Sequence, residues 1–281
     1  FTYGRGVWRV PLGGFDGVAD YRIDTRMAGM WWNAQQDGHG LMLEPIALDG
    51  VVHVVASWFV YQHGAPLWLV GVGKADNDTV EIPMHFSTGA NFPPAFRPGD
   101  VTAHPWGTIT LKFNSDSAAT LSWVSQTHGF SDGTMEITPL LRAADPATDP
   151  PGAQIRACHS GNWYDPAQNG HGLFVDVFQI DGVRQLAVAW YVFEGGQPLF
   201  LVGAGPIEGD TATLDLAISR GPSFPPNYRT SDLVRQRWGS ARVRFTGNDT
   251  GEFAWNPAVS GYTAGSMPLR RLTAQVGRQC R

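Results

Sequence analysis

The chain repeats itself. Residues 29–135 align with residues 161–267 at a constant offset of 132, without a gap, and 35 of the 107 positions are identical. Solenoid units are roughly 20–50 residues long, so a period above 100 means two whole domains of the same fold. The best-kept stretch opens each copy. The first reads Gly29-Met30-Trp31-Trp32, then Gln36-Asp37-Gly38-His39-Gly40-Leu41. The second reads Gly161-Asn162-Trp163-Tyr164, then Gln168-Asn169-Gly170-His171-Gly172-Leu173. The organisation expected is an N-terminal arm over 1–27, a first repeat over 28–142, a Pro-rich linker over 143–155 and a second repeat over 156–281.

Within each copy the pattern is β throughout. Apolar and polar residues alternate, and no stretch holds a 3.6-residue period long enough for a sizeable helix. Eight strands are predicted in copy one, near 28–33, 39–48, 51–61, 66–74, 78–86, 106–113, 118–124 and 132–141. Asp49-Gly50 and Asp181-Gly182 are hairpin turns. The one long connection is the loop at 87–105, with its equivalent at 219–237. Eight consecutive strands with tight turns predict an all-β fold of two tandem antiparallel up-and-down barrels, since closure removes exposed sheet edges. A pair of β-sandwiches is the alternative. The strand through Trp58 is apolar on both faces, so it is expected to line its barrel with Val54, Ala56, Trp58 and Val60 and to pack outward with Phe59 and Tyr61. Gly71 and Gly73, on alternate positions of the next strand, are expected to let a neighbouring ring approach.

The composition excludes several classes. A net charge of −5 offers no electrostatic footprint for nucleic acid. No apolar run approaches the roughly 20 residues of a membrane helix. The chain begins at Phe1, as expected of a processed product or a trimmed chain. The only cysteines, Cys158 and Cys280, bracket the second repeat. A disulfide there would tie its ends together in an oxidising compartment; two unrelated thiols are the alternative. No phosphate loop, dinucleotide fingerprint or Gly-x-Ser-x-Gly elbow is present, and no cofactor is expected. No ligand cluster is duplicated, so no metal site is expected.

His39 and His171 are the only histidines kept in both copies. They are read either as polar groups at a barrel mouth or as turn-locking side chains. Glu44 and Asp176 keep a carboxylate at one position, and with His39 and His171 they are the catalytic candidates. Residues five apart on one regular strand face opposite sides, so such a pair requires the histidine to lie in the turn. Arg97 and Arg229 follow Phe-Pro-Pro in the long loop. They are read as clamps for an anion or partners for an aromatic ring, or as pinned by Asp100 and Asp232. Trp31, Trp32, Trp58, Trp163, Tyr164 and Trp190 are the aromatic candidates for ligand contact, with core packing as the default.

Gly-x-Trp on the first strand of an eight-strand meander resembles the calycin group, and Gly161-Asn162-Trp163-Tyr164-Asp165 is most similar to the avidin opening. The whole repeat also resembles a bacterial secreted β-domain with Trp-Tyr-Asp-Pro near Gly-His-Gly. The first resemblance implies a ligand-binding barrel. Tandem calycin-like barrels also include cofactor-free cyclases and hydratases. The expectation is a secreted or periplasmic bacterial protein binding a saccharide or a small aromatic or apolar molecule at the barrel mouths. The alternatives are a cofactor-free enzyme with a His–carboxylate pair and a structural subunit meeting a protein partner, or copies of itself, through an apolar face.

Overall fold

A computed structural model describes residues 22–280. Most of the expected arm, residues 1–21, lies outside the described residues. The first repeat runs through β1 (Gly29–Trp32), β2 (Gly40–Leu48), β3 (Val51–Gln62), β4 (Ala65–Asp76), β5 (Thr79–Thr88), β6 (Thr102–Ser115), β7 (Ala118–Ser125) and β8 (Gly133–Arg142). The second runs through β9 (Gly161–Tyr164), β10 (Gly172–Ile180), β11 (Val183–Glu194), β12 (Gln197–Glu208), β13 (Thr211–Arg220), β14 (Val234–Gly247), β15 (Thr250–Pro257) and β16 (Gly265–Arg271). Each strand pairs antiparallel with the next, and each sheet closes when β1 meets β8 and β9 meets β16. The sandwich alternative is excluded by that closure. The Asp-Gly turns have positive φ at both residues, Asp49 (51°) and Gly50 (76°), Asp181 (49°) and Gly182 (79°), as two-residue hairpins of right-twisted strands need.

One expectation about a segment is corrected. The long loop is shorter than 87–105, because β5 continues to Thr88 and β6 already starts at Thr102. Ile23 and Met27 pack in the first core, and Ala144 and Ile155 pack in the second, so the edges of the arm and of the linker are parts of the barrels. The role expected of Gly71 and Gly73 is corrected too. A Cβ on Gly71 would lie 2.2 Å from the Pro83 carbonyl and one on Gly73 2.1 Å from that of Glu81. It is the β5 backbone, not a ring, that these glycines admit.

Strand parity divides the side chains as the apolar pattern requires. Val54, Ala56, Trp58 and Val60 point into the first barrel beside Trp31, Trp106 and Trp123. The same positions of the second barrel hold Leu186, Val188, Trp190 and Val192 beside Trp163, Trp238 and Trp255. The opposite face of β3, Phe59 and Tyr61, joins Met42, Trp68, Ala90 and Phe96 against Phe174, Ala189, Phe193, Phe200 and Tyr228 of the sister barrel. This third core is the interface between the repeats.

The interface has two-fold character, because its backbone bonds, crossing segments and exchanged loops recur with the two repeats exchanged. The β3–β4 turn bonds the sister loop: Gly64 N–H donates to the Pro222 carbonyl at 3.0 Å, and Gly196 N–H donates to that of Ala90 at 3.0 Å. The segment after each last strand crosses to the sister barrel. Ala144 N–H donates to the Val177 carbonyl at 2.7 Å, and Val276, 132 residues later, donates to that of Pro45 at 2.8 Å. The Phe-Pro-Pro loops are exchanged as well. Phe224, from the second repeat, closes the mouth of the first barrel, with ring centroids 5.3 Å from Trp58, 5.8 Å from Trp106 and 4.9 Å from Phe130. Phe92 closes the second barrel against Trp190 at 5.0 Å and Tyr262 at 4.9 Å. The Cys158–Cys280 disulfide forms and ties the end of the segment after β16 to the start of the second repeat.

Truncating a buried Phe costs about 3–5 kcal/mol, so Phe224→Ala is expected to lower stability by about that much. The loss will appear in the first barrel, to which Phe224 does not belong in sequence. Urea unfolding followed by tryptophan fluorescence gives the magnitude, and hydrogen exchange of β3, β6 and β7 gives the location.

Candidate functional site

The best-kept motif is built as a receptor for the sister loop. Asn33 caps a single 3-10 turn, Ala34–Gln36, by accepting from Gln35 N–H at 2.8 Å, and Asp165 caps Pro166–Gln168 by accepting from Ala167 N–H at 2.9 Å. The glutamine ending each turn meets the histidine: Gln36 Oε1 lies 2.9 Å from His39 Nε2, and Gln168 Oε1 lies 3.3 Å from His171 Nε2. Gly38 has φ +117° and Gly170 φ +124°, where a side chain would be strained. A Cβ there would also strike Leu233 and Tyr228, or Val101 and Phe96, of the sister repeat. Tyr228 lies over His39 with ring centroids 4.6 Å apart, and Phe96 over His171 at 4.4 Å. Tyr228 further donates to the Asp37 carbonyl at 2.6 Å. In the second repeat the far ring nitrogen is also engaged, with Trp190 Nε1 donating to His171 Nδ1 at 3.3 Å.

Burial pushes His39 and His171 down to about 4, against a weak opposing pull from Asp165 on His171. Both rings are therefore neutral at pH 7. Among the described residues neither ring is hydrogen-bonded to Glu44 or Asp176, whose hydrogen bonds go to Asn162, Thr273 and Gln275.

The aromatic candidates separate into two groups. Trp31, Trp58, Trp163 and Trp190 are at most 1% exposed and pack inside the barrels, whose mouths Phe92 and Phe224 close. Trp31 and Trp163 close the ends near the first strands, donating from Nε1 to the Met27 and His159 carbonyls at 2.9 Å. Trp32 and Tyr164 are half-buried and line clefts between the barrels. Arg97 and Arg229 are exposed and lie away from both clefts. Among the described residues neither forms an ion pair, with Asp100 and Asp232 included. The loop is held by its Phe and by backbone bonds instead. One trio of metal-type side chains comes together among the described residues, Cys158, His159 and Cys280, and its two sulfurs are bonded to each other.

The clefts are the concave features that the interface creates, and they too form a two-fold pair. The first, about 570 Å³, lies between the outer face of β3–β6 and the opening of the second repeat. Its walls are Phe59, Trp68, Val70, Val72, Pro83 and His85 on one side, and Asn162, Tyr164, His171, Leu272 and Thr273 on the other. The second, about 400 Å³, has the equivalent walls: Phe200, Val202, Ala204, Asp215 and Ala217 facing Met30, Trp32, His39, Leu140 and Leu141. Four exposed apolar residues, Leu48, Val70, Val72 and Leu272, border the first cleft, so its rim as well as its floor is greasy.

Behind the first cleft lies a polar cluster that sequence reasoning did not assemble. Glu44, 0% exposed, accepts from Asn162 Nδ2 at 2.6 Å and from Thr273 Oγ1 at 2.7 Å. Tyr191 O–H donates to Asn162 Oδ1 at 3.2 Å. Asp176, 1% exposed, accepts from Gln275 Nε2 at 3.3 Å. Burial raises both carboxyls to about 7, outweighing the lowering by Thr273 and Asn162 on Glu44 and by Arg278 and Gln275 on Asp176. Only the duplicated acid pointed to this cluster. Asn162, Thr273 and Gln275 differ from their counterparts Met30, Leu141 and Ala143, so no repeat signal marked them.

Comparison of the chain with protein-family models gives no match, and comparison with curated proteins gives none either.

An NMR titration of the imidazoles is expected to show His39 and His171 neutral at pH 6 and gaining protons near pH 4. Because their folded values are depressed, their contribution to stability is complete above about pH 6.5. It is lost as pH falls through the folded value. Titration of both near 6.5 would contradict the buried placement.

Proposed function

We propose that the protein is a secreted binding protein for a small aromatic or apolar molecule, held in the clefts between the barrels. The observation that carries this reading is the pairing of the clefts. The duplication reproduces a concave, aromatic-walled groove twice, at the same positions of each repeat. Small-molecule sites are typically concave and mostly apolar, with a few placed polar groups. Trp68, Phe59 and the valines of β4 supply the apolar wall of the first cleft, and Asn162, Tyr164 and Thr273 supply the polar groups. The mainly apolar walls favour an aromatic or aliphatic ligand over a saccharide. The filled barrels would equally suit a structural subunit, and the two clefts are what favours a binder. The disulfide supports an oxidising, extracellular or periplasmic setting. No helix of the described residues is long and apolar enough to cross a membrane. The eight-strand meander with Gly-x-Trp on its first strand supports kinship with calycins, with the ligand moved from the barrel interior to the outer faces.

Val72 and Ala204 occupy equivalent exposed positions on β4 and β12, one in each cleft. The neutral probe N-phenyl-1-naphthylamine, followed by fluorescence enhancement, is expected to bind with a stoichiometry of two. Val72→Trp and Ala204→Trp are each expected to remove one site, weakening it at least about tenfold by occupying its volume, and together to remove both. Absence of probe binding, or binding that survives both substitutions, would sink the cleft assignment. Calorimetry with cello- and chito-oligosaccharides decides between the apolar and the saccharide ligand.

A further inference from the structure

Glu44 and Asp176 occupy equivalent positions on β2 and β10, buried at the junction of the barrels. Their surroundings are chemically unusual for carboxylates. The donors that reach them are neutral: an amide and a hydroxyl on Glu44, an amide and the Ser160 hydroxyl on Asp176. One oxygen of each, Glu44 Oε1 and Asp176 Oδ2, has no hydrogen-bond partner among the described residues. Two arginines lie close by, yet among the described residues neither is hydrogen-bonded to either of these acids. The Arg278 guanidinium donates to the carbonyls of Ala144 (2.8 Å), Ala143 (3.0 Å) and Thr25 (3.0 Å) and to Gln275 Oε1 (2.9 Å). Arg271 pairs with Asp249 at 3.1 Å and donates to the Asn248 carbonyl. A buried ionised carboxylate without a cation hydrogen-bonded to it is costly, so this arrangement suits the neutral acids.

The groups that hold the two acids come from the strap after β16. Thr273 bonds Glu44, Gln275 bonds Asp176, Gln275 bridges to Ile46, and Val276 N–H donates to Pro45. The strap also forms a wall of the first cleft through Leu272 and Thr273. We infer that Glu44 and Asp176 are a proton-operated latch: as neutral acids they keep residues 272–279 docked across the first barrel, and their ionisation loosens that strap and opens the first cleft. The disulfide at Cys280 keeps the loosened strap tethered.

Every charged or titratable group facing the latch enters its balance. Arg271 from β16 and Arg278 from the strap favour the anions, Glu44 and Asp176 disfavour each other's ionisation, and the Tyr191 phenol on β11 stands beside Glu44. Farther out, Asp249 and Arg156 act on Arg271, and Asp145 acts on Arg278. Burial outweighs the arginines and holds both acids near 7. For acids raised on folding, the stabilisation is complete below their ordinary range of about 4. It is lost as pH rises through 7, so the latch closes in acid and opens above neutrality.

The test uses the whole oxidised chain. Hydrogen exchange of the peptide spanning residues 272–279 is measured from pH 5 to pH 8 and corrected for intrinsic rates. Protection is expected to fall at least about tenfold across that range, as linkage for a single raised acid allows. In the Glu44→Gln, Asp176→Asn double variant it is expected to stay level. Carbon-13 NMR of the wild-type carboxyls, which needs no variant, is expected to show two groups titrating near 7 together with the loss of protection. A level wild-type profile, a fall that persists in the double variant, or carboxyls that all titrate between 3 and 5 would each overturn the latch. The consequence for ligand rests on the cleft reading and is measured separately. The affinity of N-phenyl-1-naphthylamine is compared at pH 5.5 and pH 8 in the Ala204→Trp variant, which retains only the first cleft. If the probe fails to bind at either pH, the cleft reading falls while the exchange profile still decides the latch.

Discussion

Everything else in this molecule depends on the exchange of the Phe-Pro-Pro loops. An eight-strand barrel has two mouths, and an open mouth exposes the indoles that fill its interior. Here each repeat closes the other: Phe224 sits among Trp58, Trp106 and Phe130, and Phe92 among Trp190, Trp238 and Tyr262. A core that borrows a residue from its neighbour couples the stability of the two barrels. It also places the outer faces of β3 and β11 against the sister barrel, which is why those strands are apolar on both sides. The next aromatic of each loop, Phe96 or Tyr228, then covers the histidine of the opening motif.

The same docking makes both the clefts and the buried acids. Two curved surfaces that meet along a line diverge on either side of it, and the diverging walls are lined by what was already apolar enough to approach the interface. At the line itself Glu44 and Asp176 are shut away from water. A duplicated acid costs free energy there twice, and the neutral donors around it, Asn162, Thr273 and Gln275, belong to one side only. The second repeat has thus diverged from the first where the strap meets the acids. The departure from two-fold symmetry makes the first cleft chemically distinct from the second.

Much of the fold is legible in the residues. Period-two alternation and Asp-Gly turns place the strands, with most ends within a few residues of those observed. The double-sided strand through Trp58 announces a covered outer face. The histidine motif was legible as a motif but not as a receptor. His39, Gly38 and Gln36 look like chemistry until Tyr228, about 190 residues away in the chain, is seen lying on the ring. Arg97 misdirected in the opposite way: a duplicated arginine beside a duplicated aspartate suggests a pair, whereas its identical neighbour Phe92 holds the loop. The signal for the plug was present, since Phe92-Pro93-Pro94 is repeated without change. Nothing local tells which barrel such a loop closes.

By itself the sequence determined the duplication, the eight-strand repeat, the hairpin register and the core faces. All of these follow from contacts close in the chain or from side-chain period, which the order of residues carries directly. Only the tertiary structure decided which barrel each loop plugs, that the clefts lie between the barrels and not inside them, and that two acids on equivalent strands share one buried site. Those are facts about surfaces brought together from more than 100 residues apart. They are set by which pairing of faces excludes the most water, and that quantity exists only once both barrels have formed.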